Sequence, residues 1–202
     1  MSSAWLNTEL ETYESHVALS TVGQAAAIRE AIRLAVEELK PESFLYLGCA
    51  GGNGLEVFSS QRVVGLDLNE TYLDRARERF PAAGFMQCDL NQTLPSLGSF
   101  DLAFGALVFE YIENLNGLLD QLAERVNGHL VVLILATREG APAVSDSPYR
   151  ELLQPVGREF RYLSVEGFLE TAALAGFEVS GQQEIALPAG KYFVSIKLRR
   201  RL

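Results

Sequence analysis

Phe44-Leu45-Tyr46-Leu47-Gly48-Cys49-Ala50-Gly51-Gly52-Asn53-Gly54 is the stretch whose reading decides the fold. Its continuous apolar start fits a strand covered on both faces. That run breaks directly into a loop of small residues, which lets the backbone approach a ligand closely. A short helix read after the loop would add free N–H groups. The plain alternative is a tight turn needing φ > 0, but glycines at 51, 52 and 54 exceed what a turn requires.

Helix-like and strand-like segments alternate outward from this loop. Before it, Ile28, Ile32, Ala35 and Leu39 mark one face of a helix over 24–39 that Pro41 stops. After it, Val63 to Leu66 reads as a strand ending at Asp67. A helix follows with Tyr72, Ala76 and Phe80 on one face, and then a third strand, Gly84 to Cys88, ends at Asp89. A fourth strand is expected from Phe100 to Gly105. Leu115, Leu118, Leu119, Leu122 and Val126 then line a helix that Asn127-Gly128 should end, ahead of a fifth strand from His129 to Ala136. Such alternation predicts an α/β fold with parallel β-α-β units: a Rossmann-like, doubly wound, mostly parallel sheet. The rhythm then changes. Behind a helix over 165–175, two strand-like segments, Phe177 to Ala186 and Lys191 to Leu198, are joined by four residues, which predicts an antiparallel hairpin.

Composition bounds the rest. The chain has 202 residues, 48% of them hydrophobic and 21% charged, with a net charge of −9, which predicts one soluble globular domain over 1–202. Within it, 1–23 reads as an N-terminal arm or lid. The stretch 137–163 reads as an insertion at the C-terminal end of the fifth strand, the ligand side of an open α/β sheet. The longest apolar run, Leu130 to Ala136, is far short of the roughly 20 residues of a membrane helix. No export signal is read, so a cytoplasmic location is expected. The one basic cluster, Lys197 to Arg201, reads as a strand end, so neither nucleic acid nor membrane is an expected partner. Two histidines and two cysteines make no transition-metal site. Cys49 and Cys88, two strands apart at about 9–10 Å, are expected as free, buried thiols. Composition carries no signal for an oligomeric state.

Elimination narrows the ligand. A phosphate-binding P-loop needs a lysine at the helix start, and none lies between Lys40 and Lys191. The dinucleotide pattern G-x-G-x-x-G is absent as well, which leaves a nucleoside without a pyrophosphate. Asp67, 19 residues after Gly48, sits near the spacing at which an acid accepts from ribose hydroxyls. Asp89 ends the third strand, where an acceptor could meet an adenine amino group. Turn or helix capping is the alternative role for both.

With these residues in place, the sequence resembles the class I S-adenosylmethionine-dependent methyltransferases. Gly48, Ala50 and Gly52 occupy the three positions of that family's G-x-G-x-G loop, and 64–69 resembles its ribose-binding strand end. Residues 88–90 resemble the segment flanking adenine, and 100–112 the fourth-strand motif. The stretch from Leu47 to Glu56 is similar to that of uncharacterised bacterial methyltransferases. Two positions depart: Tyr46 stands where the family usually has an acid, and Ala50 replaces the middle glycine, which fits if its φ stays negative. The resemblance implies S-adenosyl-L-methionine as cofactor and S-adenosyl-L-homocysteine as product. It assigns cofactor contacts to Gly48, Cys49, Ala50, Gly52, Asp67, Leu68, Asp89, Leu90, Gly105 and Ala106.

In-line methyl transfer asks the protein chiefly to align the nucleophile and exclude water. A base is needed only where the nucleophile carries a proton at neutral pH. His16, Glu110 and Tyr111 are the candidates for catalysis. Helix-start surface is the alternative for Glu110, and packing for Tyr111. Tyr13, Tyr111, Tyr149, Arg150 and Tyr162 are the candidates for contact with a small-molecule acceptor. A cofactor-binding regulatory protein without turnover and an NAD-dependent oxidoreductase are the competing functions.

Overall fold

In the computed structural model of the chain, residues 3–138, 141, 142 and 144–201 are described. The ends of the arm (Met1, Ser2) and three positions of the 137–163 insertion (Glu139, Gly140, Ala143) lie outside them.

Seven strands form one sheet: β1 Ser43–Leu47, β2 Arg62–Asp67, β3 Gly84–Gln87, β4 Phe100–Ala106, β5 Val126–Thr137, β6 Phe177–Ala186 and β7 Lys191–Arg200. Their spatial order is β3-β2-β1-β4-β5-β7-β6. β1 to β5 run parallel, and β7 lies antiparallel to both β5 and β6. The expected mixed sheet with an antiparallel C-terminal hairpin is therefore present. Chain order reverses direction between β1 and β4, and open sheets of this kind bind ligands at the strand tips there.

Side chains on β1 alternate between two cores. Phe44 and Tyr46 pack with Ile28, Ile32 and Ala35 of α2 (Gln24–Leu39) and with Leu73 and Ala76 of α3 (Glu70–Arg79). Leu45 and Leu47 face the other way, into a core shared by Leu118, Leu119 and Leu122 of α4 (Leu115–Arg125) and Phe168 and Ala172 of α6 (Val165–Leu174). Side-chain caps start three of these helices. Asn69 accepts from Thr71 N at 3.0 Å, Asn114 from Gly117 N at 3.0 Å and Ser164 from Gly167 N at 3.2 Å.

The structure departs from the sequence reading in four places. Residues of the arm form a helix, α1 (Leu10–Ala18), preceded by a 3-10 turn over Ala4–Asn7. The 137–163 insertion contains a second unexpected helix, α5 (Arg150–Glu159). The glycine loop leads into a three-residue 3-10 turn, Leu55–Val57, and not into a helix with a row of free N–H groups. Finally, Asn127-Gly128 does not end α4. That helix stops at Arg125, and both residues belong to β5, beside a register shift between Phe100 and Leu102. Gly128 is needed there because a Cβ would collide with the Asp101 carbonyl oxygen.

Candidate active site

The loop after β1 is held in a sequence of left-handed conformations: φ is +63° at Gly48, +44° at Ala50, +87° at Gly52 and +95° at Gly54. Space is short as well. A Cβ on Gly48 would lie 2.7 Å from Val108, and one on Gly52 2.7 Å from the Phe80 ring. Ala50 corrects the expectation of a negative φ; a left-handed alanine costs roughly 1–2 kcal/mol. Hydrogen bonds hold it there, since Ala50 N donates to Asp67 Oδ2 at 2.8 Å and Cys49 N to the Leu66 carbonyl at 3.0 Å. Tyr46, at the position of the expected acid, fixes the far end of the loop. Its hydroxyl donates to the Asn53 carbonyl at 3.2 Å, while Asn53 Nδ2 donates to Ala25 O on α2.

The other residues assigned to a cofactor lie at or just beyond the strand tips, and of them only Ala106 lines a cavity. Asp67 is engaged by the chain itself, Oδ1 accepting from Asn69 N at 2.9 Å and Oδ2 from Ala50. Burial raises its carboxyl above the usual range, against the opposing pull of these backbone hydrogen bonds. Asp89 caps its own turn, Oδ1 accepting from Asn91 N at 2.9 Å. Leu68 is half-buried beside Asp67, and Leu90 packs into the core on the α4 side. Gly105 is a packing position: a Cβ there would meet the Phe109 ring at 2.6 Å. Cys49 and Cys88 are free and buried as expected. Burial pushes the Cys49 thiol well up and that of Cys88 to about 11, so neither is a thiolate at neutral pH.

A cavity of about 320 Å³ opens against this loop, with Gly48 to Asn53, Tyr46 and Ala106 on its walls. That volume lies near the lower end of small-molecule sites, roughly 300–1,000 Å³. Its remaining wall carries residues the sequence reading passed over: Glu14 on α1, Arg29 on α2, Glu56 in the 3-10 turn Leu55–Val57 and Arg79 on α3. Arg79 Nη2 pairs with Glu14 Oε2 at 2.8 Å, and Arg79 Nη1 donates to Gly51 O at 3.2 Å. Gly51 has no room for a Cβ because this ion pair lies directly over it. No local pattern joins residues 14 and 79; they meet only in the tertiary structure.

A second, smaller cavity of about 50 Å³ lies beside the first, and Tyr13 and Val17 line both. His16 and Tyr111 are on its wall. His16 stands in the last turn of α1, its Nδ1 2.8 Å from Ser147 Oγ. Burial and then the nearby Lys191 charge lower it to about 4, so it is neutral at pH 7. Glu110 is not the exposed helix-start residue that was its alternative reading, for it is fully buried. Its Oε1 accepts from Leu135 N at 2.7 Å, its Oε2 has no hydrogen-bond partner, and burial raises its carboxyl to about 7. Tyr111 meets Trp5 and Phe160 edge to face. The remaining acceptor candidates lie apart. Arg150 is exposed, 3.5 Å from Asp146, and Tyr162 is exposed with its ring on Phe160. Tyr149 is half-buried just before α5; none of the three lines either cavity.

A parallel sheet with a left-handed glycine loop at the first strand tip, closed by an inserted antiparallel strand, is the class I S-adenosylmethionine-dependent methyltransferase fold. Residues 45–132 match the family described as "Methyltransferase domain". Among curated proteins, the chain is 33% identical over 86 residues to trans-aconitate 2-methyltransferase of Acidovorax sp. (strain JS42), covering 41% of this chain and 33% of that protein. It is 35% identical over 81 residues to the enzyme of the same name from Paracidovorax citrulli (strain AAC00-1), covering 38% of this chain and 31% of that one. The match thus spans about a third of these relatives' length. Among solved structures, magnesium protoporphyrin IX methyltransferase from Synechocystis PCC 6803 with bound SAH superposes with a TM-score of 0.73 at 14% identity, over 98% of this chain and 97% of that one. An S-adenosylmethionine-dependent methyltransferase from Mesorhizobium loti gives 0.62 at 22% identity, over 84% and 98%. These last two likenesses concern the fold.

Proposed function

We propose that the protein is an enzyme that binds S-adenosyl-L-methionine across the tips of β1, β2 and β3 and methylates a small-molecule acceptor. The observation that carries this reading is the glycine loop, whose left-handed Gly48, Ala50 and Gly52 border a cavity of about 320 Å³ while Asp67 holds Ala50 N from outside its lining. The cavity suits this cofactor in two respects. Its methionine end bears both an ammonium and a carboxylate, and the cavity wall supplies Glu14 and Glu56 against Arg29 and Arg79. A diphosphate would want the N-terminus of a full helix, where this loop offers a three-residue 3-10 turn. The dinucleotide alternative is disfavoured accordingly.

Bound there, the cofactor would supply a methyl carbon activated by its positively charged sulfur. The chain's part is positional. Asp67 would receive ribose hydroxyls while keeping Ala50 N, each carboxylate oxygen having capacity for more than one hydrogen bond. Leu68, Asp89 and Leu90 would flank the base, and Glu14 would take the ammonium in place of the acid that Tyr46 displaces. Residues 3–18 lie over both cavities and would act as a lid, holding water away from the sulfonium. The arm 1–23 and the insertion 137–163 are read as the two acceptor-side parts of one domain.

No helix among the described residues is long and apolar enough to cross a membrane. A cytoplasmic location and the absence of nucleic-acid partners belong to the proposal, and two free thiols accord with a reducing compartment. Calorimetric and thermal-shift titrations test the cofactor. Binding of S-adenosylhomocysteine with a raised melting temperature is expected; stabilisation by NAD alone would overturn the assignment. Transfer of labelled methyl from the cofactor into a small-metabolite extract tests turnover. Tight cofactor binding with no labelled product in any extract would favour the regulatory alternative.

A further inference from the structure

The smaller cavity differs in chemistry from the first. Its wall is aromatic: Trp5 stands edge-on to Tyr13 at 5.3 Å and to Tyr111 at 5.4 Å, and Tyr111 edge-on to Phe160 at 5.8 Å. Leu107, Leu135 and Val156 fill the spaces between. Among the described residues lining it there is no Lys, Arg, Asp or Glu, and its histidine is held neutral. Lys191, whose charge reaches His16, is hydrogen-bonded to Ser145 at 2.8 Å and is not part of this wall. Of the lining residues only Leu107 and Tyr111 fall inside the 45–132 family match. The rest come from the arm, from Gln24 at the start of α2, from the end of β5 and from α5 with its flanks, where that match does not reach.

We propose that this aromatic-walled cavity seats the methyl acceptor, and that the acceptor is a small, planar, uncharged molecule. The inference rests on the methyltransferase reading above and adds the class of substrate. Position supports it: the cavity abuts the cofactor cavity through Tyr13 and Val17, so a molecule in one lies next to a molecule in the other. Chemistry supports it too. A polycarboxylate would surrender its hydration to a wall without a counter-charge, at a cost of several kcal/mol per ion, in a chain already at −9. Flat apolar rings instead gain from edge-to-face contact with a wall of this kind. Size sets the limit. About 50 Å³ is less than the roughly 150 Å³ that admits benzene in an engineered apolar cavity. A single ring therefore enters only as the arm shifts outward. That shift would stretch or break the arm's polar ties: Ser3 Oγ and Ala4 N donate to Glu159, Asn69 Nδ2 to Trp5 O and the Tyr72 hydroxyl to Thr8 O, while Glu14 pairs with Arg79 and His16 meets Ser147.

Trp5 is the chain's single tryptophan, so its emission reports on this wall directly. The test titrates wild-type protein, with and without saturating S-adenosylhomocysteine, with phenol, 2-naphthol and trans-aconitate, reading heat by calorimetry and Trp5 emission in parallel. Saturable one-to-one binding of a neutral planar probe with a change in Trp5 emission is expected. Phe160→Ala and Val156→Phe should each weaken it tenfold or more while S-adenosylhomocysteine affinity, which also reports correct folding, stays unchanged. Saturable binding of trans-aconitate with the planar probes inert would overturn the proposal. So would the absence of saturable binding by either planar probe, or planar binding that both variants leave intact. Failure of S-adenosylhomocysteine to bind wild type would instead sink the cofactor reading, and the titrations without it keep the two failures apart.

Discussion

Glu110 is a carboxyl held far from its ordinary behaviour. A carboxylate with one unpartnered oxygen in a fully buried place is costly, and burial raises its value from 4.5 to about 7. In the unfolded chain the group ionises near the ordinary value; in the folded chain it keeps its proton to about pH 7. The folded state thus binds more protons between these limits, and stability falls as pH rises through them. Urea denaturation of wild type and Glu110→Gln at pH 5 and pH 8 should show the variant gaining about 3 kcal/mol relative to wild type on going to the higher pH. Equal pH dependence of the two proteins would show that Glu110 ionises normally. Tyr46 belongs to the same scale. Tyr46→Phe leaves the Asn53 carbonyl without its donor and should cost about 1 kcal/mol of stability in denaturant melts. Asp67→Ala removes the acceptor of Ala50 N as well as the proposed ribose partner. S-adenosylhomocysteine binding should weaken by about 1–3 kcal/mol, measured by calorimetry. Unchanged affinity would separate Asp67 from the cofactor.

Among the elements, those with many buried apolar positions were legible in the sequence and those held by a few distant contacts were not. The periodicity of α2 and α4 and the continuous apolar runs of β1, β2 and β5 mark structures covered over their length. Helix α5 does carry apolar residues at helical spacing (Leu152, Leu153, Val156), but Pro155 and Gly157 lie inside it and argue locally against a helix. It folds because it docks against α1 and the turn before it, which are distant in sequence. The candidate site divides the same way. Gly48, Gly52, Asp67 and Ala106 announce themselves by their place after strands. Glu14, Arg79, Lys191 and Ser147 enter through tertiary contacts that no local spacing encodes. Asn127-Gly128 misled because a glycine commonly ends a helix, whereas here it serves close approach between β5 and Asp101. Gly128→Ala should destabilise the protein by about 1–3 kcal/mol; a neutral effect in thermal melts would mean the two strands can part at that point without loss.

For the whole molecule, the arm ties α5 to α3 and the residue that caps it. Its first residues are tied to Glu159 on α5, Trp5 O accepts from Asn69, Thr8 O from the Tyr72 hydroxyl at 2.7 Å, and Glu14 pairs with Arg79. Glu159→Ala releases one end of this strap. Hydrogen exchange over residues 4–8 should quicken severalfold while the melting temperature moves little; unchanged exchange would show that the remaining contacts hold the arm alone. The strand order has a further effect on how the chain is made. β7 is synthesised after β6 yet lies between β6 and β5, bonded to both. Until residues 191–200 have emerged from the ribosome, the long apolar flank of β5 is a bare edge and β6 has nothing to pair with. The nascent chain therefore passes through a state prone to sticking, which ends only when the last strand slides into its slot.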